Sequence, residues 1–341
     1  MPHTSLQNLN TANLTCPFAE QTVRSLEVFD LLCPGLALHA TLYVITGEAD
    51  DVLTALRQAD AEAANAILCQ PNISNWWRSP HVYAQRHQQR LQAAANARAQ
   101  MYALGNEEHA AKLVRLGKVM EAACQGTHLR RIAQIPEWFL YLAIDALSNT
   151  CTDLKGHCRT RMPANWNFNL LCQILAADDM SPLYALLLML ERRDNLYWRD
   201  FDALLEWPDL AEFLLENPAM TRCLINELSI SGRLSLLKVF EMHPALAQTY
   251  ADVMVQLAVV GDRRVRVVAA PQVIALPLPN KLPHLRQLMN HGTESERTRA
   301  VKVLAHNGEA VRKVFQARLK VEGAKPVLKA LNHALAQKVK A

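Results

Sequence analysis

The chain has 341 residues, half of them apolar and only 6% aromatic, with 36 Lys or Arg against 32 Asp or Glu. That length can bury a sizeable core, as two domains or as one elongated array. Plentiful Ala and Leu without sustained β-branched alternation selects an all-α protein. No basic segment leads into an apolar one at the start, and the longest apolar block, residues 183–190, falls far short of a bilayer span of about 18 residues. A cytoplasmic protein with no membrane partner is therefore expected. The eight cysteines, at 16, 33, 69, 124, 151, 158, 172 and 223, lack a framework spacing and read as reduced, mostly buried thiols.

Residues 1–20 are polar and low in charge, the composition of a disordered leader. A helical N-terminal region, 21–148, follows. A short helix over 23–32 ends at Cys33-Pro34-Gly35. Residues 36–45 fit a helix or a strand; helix is favoured because Gly47 and the acidic Glu48, Asp50 and Asp51 then open the next helix, 52–69. Residues 71–80 form a break carrying Trp76-Trp77-Arg78. A long polar helix over 81–104, stopped at Gly105-Asn106, and a second over 107–124 read as one αα-hairpin. Pro136-Glu137 opens a helix that runs to 147.

Residues 149–167 are the least regular and form the expected connection to a second helical region, 168–341. Helices are expected there over 168–176, 182–192, 198–205, 210–215, 220–228 and 234–243. Beyond them a periodicity sets in, clearest over 245–338. Gly261, Gly292 and Gly323 stand 31 residues apart, each with a leucine four residues earlier, at Leu257, Leu288 and Leu319. Eight and twelve residues after each glycine come Ala269/Val273, Ala300/Leu304 and Leu331/Leu335. A fixed period with fixed offsets marks a stacked helical-repeat architecture. In each copy an apolar-periodic helix stops at a glycine in the left-handed conformation and a second helix follows. Such a hairpin cannot bury its own face, so neighbours must stack, as in a HEAT-like α-solenoid. Pro271 is expected to interrupt the first of the second helices. Leu228, Gly232, Leu236 and Phe240 give a leucine-x3-glycine-x3-apolar-x3-apolar spacing, as Leu257, Gly261, Val265 and Ala269 do, 29 residues upstream of Gly261, which places the start of the array before Leu257.

From Leu257 to the end there are 16 basic and 5 acidic residues, a charge of +11, leaving 20 basic and 27 acidic before it. The clusters Arg263, Arg264 and Arg266; Arg297, Arg299 and Lys302; and Arg312 and Lys313 recur near helix starts. On one face they would form a stripe able to follow a phosphate backbone; charged outer faces are also the ordinary condition of surface helices. Trp76-Trp77-Arg78 and the 195–201 segment NLYWRDF set aromatics beside arginines, suited to base stacking, to a peptide hot spot, or to the core. Cys151, His157 and Cys158 are the tightest metal-capable group, but a structural zinc takes two close ligand pairs and no second pair is near. No phosphate-binding loop, dinucleotide fingerprint, nucleophile elbow or HExxH is present, so no cofactor, metal or local catalytic motif is expected.

Residues 282–308, LPHLRQLMNHGTESERTRAVKVLAHNG, resemble the helical-repeat region of the large bacterial proteins of the MolR/WGR-associated uncharacterised family. The likeness is carried by a leucine pair, a glycine, Glu-Arg, Ala and Leu, here Leu285, Leu288, Gly292, Glu296, Arg297, Ala300 and Leu304, and it covers 245–338. It implies a bacterial, cytoplasmic helical-repeat protein. The conserved C-terminal domain of those proteins has no counterpart in this sequence, so its activity is not carried over. The expected function is a non-enzymatic scaffold for a protein partner, with nucleic-acid binding through the basic repeats as the alternative.

Overall fold

The computed structural model describes residues 16–60, 63–64, 87–124, 135–147, 150–152, 158–160, 163–191 and 204–336. The protein is all-α, apart from a two-stranded antiparallel ribbon, β1 (Thr150–Thr152) and β2 (Cys158–Thr160). The described residues form two units, each with its own core. One takes those up to Met189 together with Leu204, and the other takes Leu190, Glu191 and those from Leu205 onward. The ribbon lies within the expected connection at 149–167, while the division between the units falls later, around 190–204. No helix among the described residues is long and apolar enough to cross a membrane. The aromatic segments at 76–78 and 195–201 lie outside the described residues.

Among the described residues the first unit starts with α1 (Pro17–Leu26), opened by a proline at its first position and by the Cys16 side chain, which accepts from the Ala19 amide. The helix thus starts inside the expected leader, because Phe18, only 2% exposed, belongs to the core. A 3₁₀ turn, Glu27–Leu31, leads to α2 (Leu36–Thr46), whose first turn is capped by Asp30 accepting from the Ala37 amide. Helix is thus the conformation this stretch adopts. It stops at Gly47 with φ 88°, where a side chain would be strained. Next come α3 (Asp51–Gln58), α4 (Gln88–Leu104), α5 (Ala110–Cys124), α6 (Glu137–Leu147), α7 (Phe168–Ala176) and α8 (Leu183–Glu191).

The expected hairpin of 81–104 with 107–124 does not form. Gly105 and Asn106 are extended and lead the chain away from α4, which packs mainly on α1, while α5 packs mainly on α6. The α5–α6 approach is close enough that a Cβ on Gly117 would stand 2.7 Å from the Trp138 carbonyl oxygen.

The second unit runs α9 (Pro208–Glu216), α10 (Pro218–Ile225), α11 (Ile230–Met242), α12 (Pro244–Thr249), α13 (Ala251–Val259), α14 (Arg263–Ala275), α15 (Leu278–His291), α16 (Glu294–Ala305), α17 (Arg312–Leu319) and α18 (Lys325–Ala336). Gly261, Gly292 and Gly323 each lie between paired helices, α13/α14, α15/α16 and α17/α18, and these pairs are in contact. The second helices form a ladder: α14 contacts α11, α16 contacts α14, and α18 contacts α16. Val265, Ala269 and Val273, then Ala300 and Leu304, then Val327 and Leu331 are buried along it.

Three expectations need correction. Among the described residues only Gly35, Gly47 and Gly308 have positive φ among the glycines, so Gly261, Gly292 and Gly323 are not left-handed helix stops. Close approach accounts for two of them instead. A Cβ would stand 2.8 Å from the Leu257 carbonyl oxygen at Gly261 and 2.6 Å from that of Leu288 at Gly292, but would meet nothing within 4 Å at Gly323. Pro271 does not interrupt its helix, since α14 runs through it. Gly232 is not an inter-helix turn; it lies inside α11, past the N-cap Ser229. Aligned by N-caps, Leu228 takes the glycine's place, 33 residues before Gly261, and Gly232, Leu236 and Phe240 match Val265, Ala269 and Val273.

Candidate functional site

Each second helix of the hairpins starts from a side-chain cap. Ser229 accepts from the Gly232 amide at the head of α11, and Asp262 accepts from the Arg264 amide at the head of α14. Thr293 and Glu296 form a reciprocal capping box on α16. Before α18, Glu322 accepts from the amides of Gly323 (3.1 Å) and Ala324 (3.0 Å). The cap on α11 is itself held, because Glu191 Oε1 accepts from the Ser229 amide at 2.6 Å and Oε2 from its hydroxyl at 2.5 Å.

These turns decide where the eight candidate cations go. Arg266 and Arg297, each five residues after a repeat glycine, fold back and donate to that glycine's carbonyl, Gly261 and Gly292 respectively. Arg297 also grips Glu322 with two bonds, Nε and Nη2 each at 3.1 Å. Arg318, in α17, donates to the same carboxylate at 2.6 Å. Burial pushes the Glu322 carboxyl up, but the Ala324 amide and the two guanidinium groups outweigh it and bring it down to about 2. Arg299 donates from Nε to the Val259 carbonyl at 2.6 Å, at the C-terminal end of α13, where a cation also meets the helix dipole favourably. Arg312 reaches the Leu335 carbonyl at 3.4 Å and Glu309 at 3.7 Å. Arg264 is 71% exposed with its guanidinium 3.2 Å from Asp262, and Arg263, Lys302 and Lys313 are solvent-accessible. Arg266, Arg297 and Arg299 are therefore turned inward, joining turns and neighbouring helices, and Arg312 is engaged at its edge while its side chain stays 43% exposed.

Other long side chains do the same work. Arg222 donates to Asp252 at 2.8 Å and to the Thr249 carbonyl, linking α10 to the start of α13. Gln272 of α14 donates to the Leu237 carbonyl of α11. Buried Lys281 donates to the Ile274 carbonyl in the last turn of α14, and burial lowers its pKa.

Past its first turn, α14 turns apolar residues outward. Val265, Ala269 and Val273 are buried, yet Val267 is 67% exposed, Val268 is 40% exposed, and Pro271 is exposed one turn on. The spacing 264, 267, 268, 271 puts Arg264, both valines and the proline on one helix face. Pro271 has no amide hydrogen for the Val267 carbonyl, which loses its usual partner within the helix.

In the first unit a buried polar group joins two helices. Arg98 of α4 donates from Nε to Asp145 of α6 at 2.6 Å, and Tyr102 donates its hydroxyl to the same carboxylate at 2.7 Å. Arg98 and Asp145 are buried, and Tyr102 is wholly enclosed. Burial and the Asp145 charge push the Tyr102 phenol well above its ordinary range, so it stays protonated as a donor. The enclosed pair locks α4 to α6. A signal for it exists: position 98 continues the apolar series Leu91, Ala94, Met101, Tyr102, and Asp145 is the lone charge in the apolar run after Glu137. Asp178 pairs with Lys118 at 2.6 Å. The described residues contain no group of three or more His, Cys, Asp or Glu able to hold a metal ion. For Cys151 and Cys158 only the backbone is described; they sit on the two ribbon strands, out of register with each other. His157 lies outside the described residues.

Comparison of the chain with protein-family models, with curated proteins and with solved structures finds no match.

Proposed function

We propose that the protein is a non-enzymatic scaffold whose second unit is a HEAT-like helical solenoid, akin to the repeat region of the family it resembles, and that it holds another protein. The reading is carried by the fate of the cations: Arg266, Arg297, Arg299 and Arg312 are engaged by carbonyls and carboxylates of the same chain, while α14 turns Val267, Val268 and Pro271 outward. A phosphate-tracking surface needs its guanidinium groups outward; a protein-docking surface needs apolar anchors in an otherwise polar face.

Fluorescence anisotropy of the whole chain against duplex and single-stranded DNA, from about 50 to 200 mM salt, separates the two. Of the eight-residue stripe only Arg263, Arg264, Lys302 and Lys313 are left outward, so binding is expected to be weak, and their joint share of the slope of log affinity on log salt no more than about −3.6, about 0.9 per phosphate contact. A steeper slope that collapses on reversing Lys302 and Lys313 would restore the nucleic-acid reading.

A further inference from the structure

If the protein is a scaffold, the chemistry of its outward α14 face specifies the occupant, and the inference rests on that scaffold reading. Offsets of six, seven and ten residues from the repeat glycine give Val267, Val268 and Pro271 in α14, Thr298, Arg299 and Lys302 in α16, and Lys329, Ala330 and His333 in α18. At these offsets the neighbouring hairpins expose polar side chains, Lys302, Lys329 and His333, while Arg299 is folded back onto the Val259 carbonyl. Helix α14 departs from them by carrying two exposed valines and a proline there, beside a buried face that is already apolar. An exposed patch of this kind on one member of a series marks an interaction site rather than a general habit of the fold.

Its charge is one-sided. Arg263 and Arg264 head the same helix, at the end where the helix dipole is positive. The nearby carboxylate, Asp262, is occupied by the Arg264 amide and guanidinium, which hold it below the usual range. Lys302 is exposed on α16, the next helix of the ladder. We infer that the face of α14 binds an acidic amphipathic helix of another protein. Its apolar residues would sit on Val267, Val268 and Pro271, and its carboxylates would sit toward Arg263 and Arg264. A donor on that helix would take the Val267 carbonyl that Pro271 leaves without its helix partner. A second copy of the chain is the poorer fit, because a two-fold contact through α14 would bring Arg263 and Arg264 against their counterparts while Asp262 is already held by Arg264.

The test is selection of a random peptide library displayed on phage against the whole chain, with affinities of the enriched synthetic peptides measured on variants. Val267→Asp with Val268→Asp changes exposed positions, so circular dichroism and thermal unfolding should match the parent. The expected result is enrichment of peptides with Asp or Glu beside apolar residues three or four apart. Their affinity should fall about tenfold or more on the double variant, and also on Arg263→Glu with Arg264→Glu. Basic or neutral winners, no enrichment, or acidic winners that bind the valine variant unchanged would each overturn the inference. In the last case protein binding itself survives and only its place on α14 fails. Concentration-dependent self-association in sedimentation velocity, abolished by the valine variant, would overturn it in favour of a second copy.

Discussion

Glu322 accepts from two guanidinium groups and two backbone amides and its side chain is only 2% exposed, so it differs in kind from a surface ion pair. Isolated exposed pairs are worth roughly 0–1 kcal/mol, whereas losing charged hydrogen-bond partners around an enclosed carboxylate costs about 1.5–3 kcal/mol. Glu322→Gln should destabilise the second unit by that amount, read as a fall in urea midpoint with an unchanged slope. The pH dependence has a defined sign. The folded pKa, about 2, lies below the ordinary 4.5, so the stabilisation is complete above pH 4.5 and is lost as pH falls through about 2. In the variant that acid-dependent loss should be missing. A stability curve of the same shape for both chains would show that the carboxylate is not clamped. The sequence puts Arg297 on a binding stripe because charge on a periodic helix normally faces water. What overrides it is the turn: an arginine five residues after the glycine reaches that glycine's carbonyl, and Arg266 and Arg297 both stand there. That offset is readable in the sequence once the turn geometry is known.

Between paired helices the spacing reveals the glycines but not their reason. A period records where a residue recurs; it carries no φ angle and no distance to a carbonyl. The three positions therefore separate under substitution. Gly292→Ala forces a Cβ to 2.6 Å from the Leu288 oxygen and should cost about 1–3 kcal/mol, whereas Gly323→Ala meets open space and should be neutral or stabilise by about 0.4–1 kcal/mol. Equal thermal shifts for the two would refute the close-approach explanation. Helix type and many boundaries are legible because apolar periodicity and caps are local; 168–176 agrees to the residue. The α4–α5 connection misleads because two extended residues, Gly105 and Asn106, look like a tight turn in sequence. The Arg98–Asp145 pairing is hidden because its halves lie 47 residues apart: each stands in an apolar series that hints at burial, but neither names its partner.

At the scale of the chain, the two units have separate cores, and Gly117 and Gly292 lie in different ones. Gly117→Ala pushes a Cβ into Trp138 and should destabilise the first unit by about 1–3 kcal/mol. Combined with Gly292→Ala the costs should add within about 0.3–0.5 kcal/mol, since the sites share no partner. A coupling of about 1 kcal/mol or more in calorimetry would mean that the cores communicate. Irregularity in the sequence places the division at 149–167, whereas the units are set by which helices share a core, a non-local property.

Glu191 shows what that means for anyone cutting the chain. The cap of α11 rests on a carboxylate 38 residues upstream. A fragment begun at Leu205, where the main run of the second unit starts, would lose that support at the first step of its helix ladder. One begun at Leu190 would keep it.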